Sequence, residues 1–126
     1  MSSIGLAAVR AMIPSGMIVR NPASLAVFSE SKMGKVSLAS GDRLYAGLNC
    51  LEPGQEHAAH VHADQDKLYV VLEGDGEIEV ADHRSAVHAG DLALAPAGVP
   101  HSVRNPGPGR LVVLVVFSPP PGGNKS

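Results

Sequence analysis

The chain has 126 residues, with 10 Lys+Arg against 12 Asp+Glu for a formal net charge of −2, and it is 44% hydrophobic. A chain of this size buries about two-thirds of its unfolded surface, so one domain with one core accounts for it without disulfide or metal staples. Near-neutral charge without a block of like charges removes the electrostatic footprint of nucleic-acid binding or adhesion to acidic membranes. The longest apolar run, Leu111 to Phe117, is far shorter than the ~20 residues that span a bilayer.

Residues 1–16 mix apolar and small residues up to Pro14 and read as an N-terminal arm, either a short helix or a loose lead-in. The apolar stretch Ile4 to Val9 has no basic run before it and no small-residue cleavage site after it, so no export signal is expected. Cys50 is the only cysteine, which forbids an intrachain disulfide and fits a reducing, cytoplasmic setting. With 14 Gly and 10 Pro, long helices are disfavoured and short strands joined by tight turns are favoured.

From Met17 onward, β-favouring runs alternate with punctuation. Strands are expected at Met17 to Arg20, Leu25 to Phe28, Lys35 to Ala39 and Leu44 to Leu51, with turns at Asn21-Pro22, Ser40-Gly41-Asp42 and Pro53-Gly54. Leu68 to Leu72 is apolar on both faces and reads as a central strand, whereas Glu77 to Val80 alternates and reads as half-exposed. Gly74-Asp75-Gly76 between them reads as a tight turn. Further strands are expected at Ser85 to His88, Leu92 to Ala95, Val99 to Arg104 and Leu111 to Phe117. A sandwich or barrel domain is thus expected over residues 17–118, and 119–126, rich in Pro and Gly, as an extended, mobile tail.

Six histidines stand at positions 57, 60, 62, 83, 88 and 101. His60 and His62 lie two apart, so on a strand both imidazoles project from one face, where they can chelate one ion or simply sit exposed. The surroundings favour chelation. Gly54 is followed by His60, His62, Lys67 and Gly74 at intervals of five, one, four and six intervening residues. Gly90 then opens a second set, Pro96, Gly98, His101 and Asn105, at intervals of five, one, two and three.

Both sets resemble the paired motifs of the cupin superfamily, the second at all five positions. The resemblance implies a single-domain all-β barrel or jelly roll, also called a double-stranded β-helix. It also implies a metal site built from the first motif's histidines and acid together with the second motif's histidine. Mapped here the ligands are His60, His62 and His101, and the acid is missing because Lys67 stands in its place. Three imidazoles suit Fe, Zn, Mn, Ni or Cu rather than Mg or Ca, and three ligands with a vacancy suit an open, reactive site.

Gly54, Gly74, Gly90 and Gly98 read as turn residues, and Pro96 and Pro100 as stiffeners of the approach to His101. His83 and His88 read as solvated surface, and Cys50 as a small buried hydrophobe. His57 belongs to the segment entering the site and lies behind the ligands or at the rim. Tyr69 and Val71 share parity with Lys67, and line the pocket if position 67 points inward; otherwise Tyr69 is plain core.

A protonated Lys67 ~5 Å from a divalent ion at an effective dielectric near 20 is repelled by about 6–7 kcal/mol. Either the side chain swings out to Asp66 or Glu73, or it stays inside with a lowered pKa, or it binds an anion in a metal-free site. The favoured expectation is a metal held by three histidines, with Lys67 turned from the ion or anchoring a substrate carboxylate. Gln65 shares parity with position 67 and offers a weak fourth contact, provided the strand extends that far back.

These features point to a small metal-dependent enzyme acting on a small, carboxylate-bearing molecule, dioxygenase-like with iron and isomerase- or lyase-like with zinc or manganese. A non-catalytic ligand-binding or sensor module is the competing reading, and a storage role ranks below both. No nucleotide-binding loop, nucleophile elbow or CxxC pair points elsewhere. A homodimer is also expected, because small sheets leave edges and Met17 to Phe28 is apolar enough to pair with a second copy.

Overall fold

The structure, a computed structural model, describes residues 18–121. Two antiparallel sheets face each other. One has five strands in the order β1 (Gly34–Ser40), β2 (Tyr45–Leu51), β9 (Leu111–Ser118), β4 (Asp66–Glu73) and β7 (Leu92–Ala95). The other has four, in the order β3 (Glu56–His60), β8 (His101–Arg104), β5 (Asp75–Val80) and β6 (His83–His88). The fold is the all-β jelly roll that turn spacing and the two motifs implied.

Alternation divides the apolar residues between two cores. Leu51, Tyr69, Val71, Ile78, Val103, Leu111, Val113, Val115 and Phe117 point between the sheets. Their neighbours Val36, Leu38, Leu48, Cys50 and Val112 face the opposite side of the five-stranded sheet. That outer face needs a cover, and Val19, Ala23, Ala26 and Phe28 supply part of it.

This cover corrects the reading of the first segment. Among its described residues, 18–28, there is no strand; Pro22–Leu25 is a short 3-10 helix with Pro at its start. Val19, Ala23, Ala26 and Phe28 are used against the molecule's own sheet, while Ile18, Leu25 and Val27 stay exposed. Met17 and the arm 1–16 lie outside the described residues, as does 122–126 of the tail. The start of the tail is tied down, because the Pro119 carbonyl accepts a hydrogen bond of 3.0 Å from Gln65 Nε2.

Gly74 is less a hairpin turn than a crossing point, since β4 and β5 belong to different sheets. Its φ is +86°, and an added Cβ would run into the Arg110 carbonyl, so the crossing requires glycine. Asn105, the last residue of the second motif, is fully buried. Its Nδ2 donates to the carbonyls of Leu51 (2.9 Å) and Gly109 (2.8 Å), while its Oδ1 accepts from the Gly107 amide (2.8 Å). Asn105→Ala strands these backbone groups, and we expect it to cost about 2–4 kcal/mol. A lowered denaturation midpoint at unchanged m in urea unfolding checks it.

Candidate metal centre

The register brings the site residues to one end of the sandwich. His60 closes β3 opposite His101, which opens β8, and Lys67 near the start of β4 lies opposite Phe117 near the end of β9. His57 and His60 lie three apart on β3 but pair with Val103 and His101, which lie two apart on β8. The extra residue is a β-bulge in the Ala58-Ala59 stretch, and it turns both histidines inward where plain alternation would have opposed them. Their rings are 4.4 Å apart.

His62 lies beyond the end of β3, so the strand parity expected to align it with His60 does not apply. The loop is instead held by the second motif, because the Gly98 amide donates to the His62 carbonyl at 2.9 Å. One residue earlier, the Ala97 amide donates to the Asp66 carboxylate, also at 2.9 Å. Thus Gly98 of one motif positions a histidine of the other.

The ligand-capable nitrogens of His60, His62 and His101 all lie within 4.8 Å of one another. Two nitrogens sharing an ion at ~2.0–2.1 Å stand at most ~4.2 Å apart, so an ion has to draw the widest pair in by no more than ~0.6 Å. His60 Nδ1 donates to the Ala58 carbonyl at 2.8 Å and His101 Nδ1 to the Val99 carbonyl at 3.0 Å. A carbonyl only accepts, so these bonds fix the tautomer that leaves Nε2 with a free lone pair. The Nε2 atoms of His60, His62 and His101 are buried without a hydrogen-bond partner. Three unpartnered Nε2 atoms gathered in one region, two of them with the tautomer fixed, fit a transition ion.

Electrostatics keeps the clustered imidazoles neutral. Burial, more than any other cause, lowers the pKa of His57 to about 3 and that of His101 to about 4, with the Lys67 charge adding to both. His60 and His62 are lowered for the same first reason. Neutral imidazole is the form that binds metal.

Lys67 is fully buried, which discards the outward swing to Asp66 or Glu73. Its Nζ lies 4.6 Å from the centre of the Tyr69 ring and 5.1 Å from that of Phe117. It has no hydrogen-bond partner. Burial, assisted by the Lys35 charge, pulls its pKa from 10.5 down to about 7. Tyr69 faces the same interior, as parity required, with its ring 6.1 Å from that of His101 and its hydroxyl unpartnered. Burial raises the hydroxyl's pKa, so it remains a donor.

Gln65 precedes β4, which begins at Asp66, so the condition for its parity is not met. Its amide is engaged at the rim, where residues 61–65, Pro119 and Pro120 line a recess of about 330 Å³. His83 and His88 are exposed, with Asp82 and Asp75 as partners. Cys50 is buried in the outer core, and burial lifts its thiol to about 11, as suits an inert hydrophobe. Sequence spacing left His57 either behind the ligands or at the rim, and the bulge turns it inward; spacing did not foresee Phe117 as a wall of the site, 5.4 Å from the His62 ring.

A family model described as "Cupin domain" matches residues 47–117, the stretch carrying both motifs and every residue of the cluster. The chain belongs to the cupin family. A protein of unstated function from Aquifex aeolicus is 36% identical over 67 residues, and the match covers 53% of this cupin and 54% of that protein. The chain therefore spans about half the length of that relative. An oxalate-binding protein from Thermotoga maritima is 29% identical over 85 residues, covering 68% of this chain and 69% of its own. Among solved structures, TT1209 from Thermus thermophilus superimposes with a TM-score of 0.80 at 36% identity, covering 83% of this chain and all of that one. No helix among the described residues is long and apolar enough to cross a membrane.

Proposed function

We propose that this cupin holds one divalent transition ion, of Fe, Zn, Mn, Ni or Cu, through Nε2 of His60, His62 and His101, and uses it to bind and transform a small carboxylate. The observation that carries the reading is the set of three buried, unpartnered Nε2 atoms, two of them fixed by Nδ1 bonds to carbonyls. Such an ion supplies Lewis acidity and open positions for ligand oxygen, with redox chemistry toward dioxygen if it is iron. The buried polar residues among those described are Asn49, Lys67, His101 and Asn105, none of them an acid, so an ion in this interior attracts an anion. The Tyr69 hydroxyl is a donor available to that anion, with His57 behind the ligands and Lys67 setting the local charge. The likeness to a protein named for oxalate binding supports the same ligand class.

Calorimetry with oxalate and other small carboxylates tests the reading. Binding is expected to the ion-loaded protein and not to the chelated one; equal binding to both contradicts it. A second reading, a non-catalytic binding or sensor module, draws on Lys67 occupying the place of the first motif's acid. It predicts that a bound carboxylate is recovered unchanged after prolonged incubation with the ion-loaded protein.

Lys67→Glu removes a positive charge and adds an oxygen donor facing the cluster. It is expected to tighten zinc binding by ~10–100-fold, the range seen when a partner of a metal ligand is altered. Unchanged affinity in a competitive chelator titration would mean that position 67 does not reach the ion. The same proposal places the protein in the cytoplasm as a homodimer. Exposed Leu92 and Leu94 on the outer face of edge strand β7 form an apolar strip with Leu68 and Val70. Light scattering that returns a monomer mass at micromolar concentration contradicts the dimer.

A further inference from the structure

Lys67 presents a problem that a three-histidine centre does not solve. Its amine is fully buried, without a hydrogen-bond partner, between the rings of Tyr69 and Phe117. Those rings also abut the centre, Tyr69 at His101 and Phe117 at His62. An ammonium there has no acceptor and no counter-ion, and the environment favours the neutral amine. Three imidazoles meanwhile bring no negative charge to a doubly charged ion, and none of the described buried residues is a carboxylate.

We propose that Lys67 is a carboxylation site, whose Nζ adds carbon dioxide to form a carbamate that supplies the metal centre with the anionic oxygen ligand the chain does not encode. In this step the Nζ lone pair attacks the carbon of CO₂, an N–C bond forms, one C=O electron pair moves onto oxygen, and one amine proton leaves to solvent. The balance is R–NH₂ + CO₂ → R–NH–COO⁻ + H⁺, with no change of oxidation state. Carbon dioxide is small and apolar enough to enter a ring-lined interior. The product carries its charge two bonds beyond Nζ, on the side chain whose charge bears on His57, His60, His62 and His101 alike. A side chain that is neutral as the amine, and repels the ion when protonated, becomes one that attracts it, and the ion in turn holds the carbamate against hydrolysis.

This inference rests on the three-histidine reading, and its test separates the two. Metal-free full-length protein is titrated with Zn²⁺ at pH 8 in buffer equilibrated with ¹³C-labelled CO₂ and in CO₂-free buffer. Zinc binding at least about tenfold tighter with CO₂ is expected, together with one carbamate ¹³C resonance per chain. Both effects should disappear in Lys67→Met. The two-buffer comparison on the unaltered chain does not depend on that variant folding. Absence of the resonance, or an equal gain in Lys67→Met from bicarbonate on the ion itself, overturns the proposal. If zinc binds equally in both buffers, the carbamate falls and the histidine centre stands; if zinc binds in neither, both fall.

Discussion

In metal-free, CO₂-free protein, stability is expected to rise by a few kcal/mol between pH 7 and pH 9, below the range in which the raised Cys50 thiol works the other way, and Lys67→Met is expected to abolish the rise. The folded-state pKa of Lys67 is depressed to about 7 from 10.5, so between these values the unfolded chain binds a proton that the folded chain does not. Raising the pH then favours folding, because stability increases with pH wherever the unfolded state holds more protons. Below pH 7 both states are protonated, and the full cost of a buried ammonium bears on the fold. At 1.36 kcal/mol per pKa unit the ceiling for the whole shift is about 5 kcal/mol. Methionine keeps the length and apolar contact of the stem without the charge, so the variant should be the more stable below pH 7 by a similar amount. On the acid side, His57 and His101 are depressed to about 3 and 4, so stability should fall as pH drops below 6.5 and continue to fall through pH 4. Urea unfolding at a series of pH values measures both limbs. A flat profile from pH 7 to 9 would show Lys67 to be solvated.

His101→Ala should weaken zinc binding by more than ~100-fold, beyond the range for altering a ligand's supporting partner, because it deletes one of only three ligands. The fold should survive. His101 Nε2 is unpartnered, and its one hydrogen bond, from Nδ1 to Val99, is local. His88→Ala is the control: His88 is exposed, bonded to Asp75, and no member of the ligand cluster. A chelator competition in which the two variants bind zinc alike would remove His101 from the centre.

The cluster of His60, His62 and His101 was legible in the sequence because the two motifs fix residue order and intervals across a topology that returns β8 beside β3. Which way each side chain faces was legible only where the strands are regular. Parity placed Lys67, Tyr69 and Val71 on one face correctly, since β4 runs without irregularity from Asp66 through Val71. Parity was silent at His57, which the sequence left behind the ligands or at the rim: one extra residue in β3 reverses the facing, and no residue type in Glu-His-Ala-Ala-His announces a bulge. It reached the right conclusion for His62 on the wrong ground, because the loop is held from the second motif by Gly98. The segment around Leu25 to Phe28 has the composition of a strand. Its partner is the outer face of the sheet, a tertiary demand that local propensity does not contain.

One ion shared by the Nε2 atoms of His60, His62 and His101 leaves a direct spectroscopic trace. Nitrogen-15 NMR of the imidazole groups during a Zn²⁺ titration of the metal-free chain tests it most directly. The Nε2 resonances of these three histidines are expected to shift together and saturate at one ion per chain, while those of His83 and His88 stay in place. Zinc that leaves the three unmoved, or that instead shifts His83 or His88, would contradict it.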